Sequence, residues 1–544
     1  MKYNMSRVMI IFCAMAFAFS ANAQSTLDNG IKMYNYKRLQ SARSILEPLA
    51  AADPQANYYL GLTYLESGDP SKANATFAKF PEDPANISGT ARVAFATKDA
   101  AKGMQIAKGL AGKVKKKEWI PEKYAADAIT YTTGGDYQQA IAWYKDVLTK
   151  NDDASTHIAL GDAYRKISGG GGEAMDNYES VTAKDPKNSL ALSRIGDLWY
   201  EANNYPSALE NYARAKDADS TNPLPYKALA YAYQRSAKYQ LALQNMKKYM
   251  KLSDNALPDK LNYSALLYLA QSYCEAVGYV GDILSKEQVT QDQKIELTGI
   301  LGYSQAECGD SVKALQTLRS YFSMQTASKI KPGDYIQLGK LFLKLGMLDS
   351  AGVYYNKGIA GDTAQNKTDV YRQIAEAFRQ KKDWCKSGDW YNNLIKSNPN
   401  TQPLDYFYRG YTYYYCRSYD AALNAFTEFE NKYPQPPAYY WHARTLAAVD
   451  SEAMTGAATP YFTKWIDSVG QDYYKQGGSK KSDMRTAYEY LLAVSFNKKE
   501  KENIKMYEDK LREVDPDDGV LKQIEGAEKS GSAPKKATPA KGKK

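Results

Sequence analysis

A glycine or alanine recurs about every 34 residues along this chain, at Gly30, Gly61, Ala128, Gly161, Gly196, Ala230, Gly302, Gly339, Ala375, Gly410 and Ala443. An alanine series follows twelve residues behind it, at Ala42, Ala73, Ala140, Ala208, Ala242, Ala314, Ala351 and Ala422. Small residues at such spacing are needed where packed helices cross closely and a larger side chain would hold them apart. Two such spots per period predict one helix-turn-helix per repeat. Because each repeat buries its apolar face only against its neighbours, the fold implied is a stacked all-α array.

The segment from Leu404 reads LDYFYRGYTYYYCRSYDAALNAFTEFENKYP, with Gly410 followed by Tyr413, Ala422, Phe426, Phe429 and Pro434. Gly196, Trp199, Ala208, Tyr212 and Ala215 keep that register, as do Gly339, Phe342, Ala351 and Tyr355. This spacing resembles the tetratricopeptide repeat. The resemblance implies a right-handed superhelical α-solenoid of about 11 to 13 repeats. It spans residues 24–516, with 87–118, 261–294 and 436–516 the most degenerate stretches, and a polar capping helix follows over 517–528. Pro54 and Pro399 fall in the terminal slot, where the ring would end a repeat.

Both ends of the chain carry signals of their own. Lys2 and Arg7 precede the apolar run Val8 to Phe19, and Ala21-Asn22-Ala23 precedes Gln24. That layout predicts a secretory signal peptide over 1–23, cleaved after Ala23, and hence a periplasmic protein, peripheral at most to an outer membrane. The apolar run is too short to span a bilayer. The formal net charge of +10 falls by two, to +8, once Lys2 and Arg7 leave. Residues 529–544 hold six lysines and no acid, so most of the remaining excess sits in this tail. Its composition predicts disorder. The tail reads either as a solvated end or as a weak electrostatic contact with an anionic membrane surface; nucleic acid is not an expected partner of an exported chain.

Four cysteines follow the leader. Cys274 and Cys308 are 34 residues apart, one repeat, while Cys385 opens a second helix and Cys416 closes the first helix of the next repeat. Each pair is placed to form a disulfide in an oxidising compartment, and buried free thiols are the other reading. Catalysis has little to draw on. The only histidines are His157 and His442, no CxxC occurs, and Gly169 to Gly172 lacks the flanks of a phosphate loop. The expectation is no enzyme, no metal and no cofactor.

Binding is what the pattern supports. The first helices of a tetratricopeptide array line a concave groove, and the resemblance assigns particular repeat positions to it. Those positions are Ile336, Lys340 and Lys344; then Arg372, Glu376 and Arg379; then Phe407, Tyr411, Tyr414 and Tyr415; then Tyr440 and Arg444. Aromatics and arginines are the side chains that concentrate binding energy at interfaces. The Lys and Asn pattern of a carboxylate clamp is missing, since Tyr231 follows Lys227 in the Asn slot. The resemblance, which extends to periplasmic envelope proteins of this family in Bacteroidota, implies protein partners of the envelope or secretion machinery held on a scaffold, or alternatively unfolded clients of a periplasmic chaperone module.

Overall fold

The computed structural model describes residues 26–115, 117–361 and 367–530. The leader and all but the start of the basic tail lie outside them. Helix follows helix throughout, and the described residues contain no strand. They form two compact units, one running to Ser304 and the other starting at Gln305.

Short polar turns set the pairing. In several repeats the first helix ends on one residue in the left-handed region, and an Asp or Asn next to it caps the second helix. Gly68 (φ +81°) precedes Asp69, which accepts from Lys72 N, and Lys98 (φ +66°) precedes Asp99, which accepts from Lys102 N. Such a turn reverses the chain in a few residues and satisfies the free amides of the next helix. Proline opens many first helices. Pro54 starts the helix Pro54–Glu66 rather than ending the previous repeat, because a ring without an N–H costs nothing in a first turn that Asp53 already caps.

What the small residues make room for is specific. A Cβ added at Gly61, Gly196, Gly339 or Gly410 would stand 2.3 to 2.7 Å from the ring of Phe77, Tyr212, Tyr355 or Phe426, in each case the side chain 16 positions later. The ring of the second helix lies directly against the small residue of the first. At Gly161 the matching ring is Tyr178, 17 positions on. The extra residue is absorbed by the glycine run, where a Cβ on Gly170 would come within 2.2 Å of the Tyr164 carbonyl oxygen.

In the N-terminal unit the polar side chains of the first helices lock neighbouring repeats together. Asp162 accepts from the Tyr178 hydroxyl (2.8 Å) in its own repeat, from the Tyr131 hydroxyl (3.2 Å) of the repeat before, and from Arg194 Nε (2.7 Å) of the repeat after. Asp197 takes the Tyr212 hydroxyl at 2.9 Å and Arg165 at 3.4 Å. Charges consumed in this way hold register and present little to a partner.

The C-terminal unit keeps helix pairs through its degenerate stretch. The pairing there is loosened by a long connection after the helix Pro436–Val449, in which Asp450 accepts from the amides of Met454, Thr455 and Gly456. The last helix, Gly519–Ser530, is capped by Asp518. One edge of this capping helix is apolar: Val520, Leu521 and Ile524 are buried in one core with Leu491, Leu511 and Val514.

Candidate functional site

The helix Pro403–Tyr415 carries the richest face. Tyr406, Arg409, Gly410 and Thr412 turn into the core, where Phe426 and Phe429 of the helix Tyr419–Lys432 receive them. Phe407, Tyr411, Tyr414 and Tyr415 follow one another at helical spacings of four, three and one, so they share the other face. They touch. Tyr411 lies 5.5 Å from Phe407 and 4.7 Å from Tyr415, ring centre to ring centre.

Two tryptophans extend this face onto the adjacent repeats. Trp441, on the helix Pro436–Val449, sits 4.9 Å from Tyr411 and 5.3 Å from Tyr414. Trp384 opens the helix Trp384–Ser397 and packs 5.1 Å from Tyr415. Tyr415 is 42% exposed, and Phe407, Tyr411, Tyr414, Trp384 and Trp441 are half-buried. Burial and the neighbouring Tyr415 push the Tyr411 hydroxyl up to about 12, so it remains a hydrogen-bond donor at any physiological pH.

Arg444 gives the face its charge. Its guanidinium lies 4.9 Å from the Trp441 ring, 5.6 Å from Tyr414 and 5.7 Å from Tyr440. Burial opposes this cation, and the field of the tyrosines and Asp483 more than offsets it, so its pKa is raised. Arg444 is held by ring faces rather than by a close ion pair.

The other predicted residues divide. Arg379 stacks 4.3 Å over Tyr408 but is gripped by Glu376 through two hydrogen bonds. Arg372 reaches across to the buried Asp405 (3.0 and 2.9 Å) and to Thr401, which makes it a tie between repeats. Lys340 is exposed on the helix Pro332–Lys344, but Ile336 beside it is buried. Tyr440 corrects the sequence reading: it is only 4% exposed, stacks 4.7 Å from Trp465 and donates to Asp483 at 2.6 Å. The degenerate repeat around it packs the helix Thr459–Val469 against the position that a regular repeat would leave facing the groove.

Cys385 and Cys416 are joined in a disulfide, Cα atoms 5.0 Å apart, and Cys274 and Cys308 are also in disulfide form. Among the described residues no group of three His, Cys, Asp or Glu could hold a metal. Tyr200, Tyr231, Tyr239 and Leu269 line a cleft of about 360 Å³ in the N-terminal unit, with Gln234 and Arg235. That lining brings no carboxylate or histidine to a reacting atom.

Trp384 and Trp441 are the site residues that sequence reasoning missed. Reading only the groove positions of first helices passes over both, since Trp384 starts a second helix and Trp441 stands one place after a groove slot. The signal for Trp384 was its neighbour Cys385, which spacing had already brought to Cys416 and hence beside Tyr415.

Fold and site together define an all-α helical-repeat protein with an aromatic face exposed on one of its units. A tetratricopeptide repeat family model matches residues 158–223. The chain is similar to the C-terminal part of a tetratricopeptide-repeat protein of Cytophaga hutchinsonii, with 24% identity, 49% of this chain and 98% of that one covered, and a TM-score of 0.33. It is also similar to a tetratricopeptide repeat protein of Parabacteroides merdae (16% identity; 45% and 93% covered; TM-score 0.27) and to pilF of Pseudomonas aeruginosa (16%; 41% and 96%; 0.29). No curated protein matches the chain. Among the described residues no helix is long and apolar enough to cross a membrane.

Proposed function

We propose that this chain is a non-catalytic scaffold of the bacterial periplasm that holds protein partners of the envelope or secretion machinery on the aromatic face of its C-terminal unit. The observation that carries the reading is the continuous surface from Trp384 through Tyr415, Tyr411 and Trp441 to Arg444. Large, stiff, amphipathic side chains supply contact area at little entropic cost, and a guanidinium among them can orient an acidic or polar group of the partner. Stacked repeats are suited to this role because their surface is long and their stability is shared between neighbours. The leader over 1–23 supports export, and the lysines of 529–544 would add a weak attraction to anionic lipid.

A photo-crosslinking residue placed at Tyr415 in intact cells tests the proposal. A scaffold gives one or a few adducts at fixed stoichiometry. A heterogeneous, sub-stoichiometric smear would instead identify a chaperone that binds unfolded clients, and no adduct at Tyr415 with strong adducts elsewhere would move the binding face.

A further inference from the structure

The first repeat of the N-terminal unit makes contacts that stacking alone does not produce. It comprises helix 26–35 and the helix Leu39–Leu46. Its tight turn touches two loops far along the chain. Tyr36, only 7% exposed, donates its hydroxyl to Asp219 and lies 3.3 Å from the Thr221 hydroxyl. Asp254 accepts from Arg38 Nε (3.3 Å), the Gln40 amide (2.9 Å), the Ser41 amide (3.0 Å) and the Ser41 hydroxyl (2.6 Å). Between 183 and 216 residues separate these partners.

The helix Leu39–Leu46 takes its cap from outside its own repeat. Asp53, Asp69, Asp83 and Asp99 each cap the helix that they precede. The residue in that place before Leu39 is Arg38, which makes no side-chain cap. The missing acceptor comes from Asp254, in the loop between the helices Tyr239–Leu252 and Leu257–Leu269. The intervening repeats must therefore curve through one full turn, so that the first repeat lies edge to edge against the loops at 219–221 and 254.

We propose that the first helix pair is a clasp, which ties together the two ends of one turn of the N-terminal unit along its edge and fixes the curvature of the repeats between them.

Asp254→Ala tests the clasp. Amide exchange at Gln40 and Ser41 should accelerate by about tenfold or more, as expected when a carboxylate acceptor is removed. Loss of the cap alone could do that, so spin labels at Ser44→Cys and Lys251→Cys supply the decisive measurement. A distance distribution that is narrow in the parent and broad in Asp254→Ala is the expected result. An unchanged distance distribution would overturn the clasp.

Discussion

Trp384 packs against Tyr415, ring centres 5.1 Å apart, immediately beside the bond joining Cys385 to Cys416. The disulfide thus clamps two helix ends, and with them one edge of the aromatic face. Replacing both cysteines by serine should cost on the order of 2 to 4 kcal/mol in stability by freeing the unfolded chain. Partner capture should weaken as well. Denaturant melts of the oxidised, reduced and doubly substituted proteins measure the first effect, and crosslinking yield at Tyr415 measures the second. Equal stability in all three would show that the bond constrains nothing.

Gly410→Leu should be far more damaging than a change on the aromatic face. A side chain there must displace the Phe426 ring, since even a Cβ would stand 2.5 Å from it. Overpacking of this kind costs about 1 to 3 kcal/mol, and more where the ring cannot move. In a repeat array the loss stays partly local. Hydrogen exchange should therefore rise around 403–432 while distant repeats keep their protection; a uniform rise would contradict nearest-neighbour stability.

Tyr415→Ala is the cleanest test of binding, because that ring is the most exposed of the cluster. It should leave melting nearly unchanged and weaken partner capture by about 2 kcal/mol if the residue is a hot spot. Tyr411→Ala should do both, losing capture and some stability, since its ring is wedged between Tyr415 and Trp441. Tyr440→Ala should act through stability by stripping Asp483 of its donor and Trp465 of its neighbour. Unaltered capture in a folded Tyr415→Ala protein would make the aromatic face surface decoration.

Glu489 sets a pH dependence. Burial, then the adjacent Asp518, pushes its carboxyl up to about 8. The folded value lies above the unfolded one, so stability is full below about pH 4.5 and declines as pH rises toward 8. Glu489→Gln removes the ionisation and should raise stability at pH 8 by about 1 kcal/mol or more, with little effect near pH 4. Thermal melts across that range check it, and parallel curves for the two proteins would refute the assignment.

The amino-acid sequence by itself determined the repeat. Gly410 and Phe426, or Gly196 and Tyr212, stand at a fixed separation because one turn and two helix lengths fix which side chains of a pair can meet, and such local geometry is written in spacing. The aromatic stripe Phe407, Tyr411, Tyr414 and Tyr415 was legible for the same reason, since one helix arranges it. Other relationships depend on how repeats stack. Burial of Tyr440 follows from a neighbouring helix that departs from the repeat, and Arg372 is occupied because Asp405 lies in the next repeat. Curvature is the extreme case. The meeting of Asp254 with Ser41 sums small rotations over all the repeats between them, and no local pattern of residues records that sum.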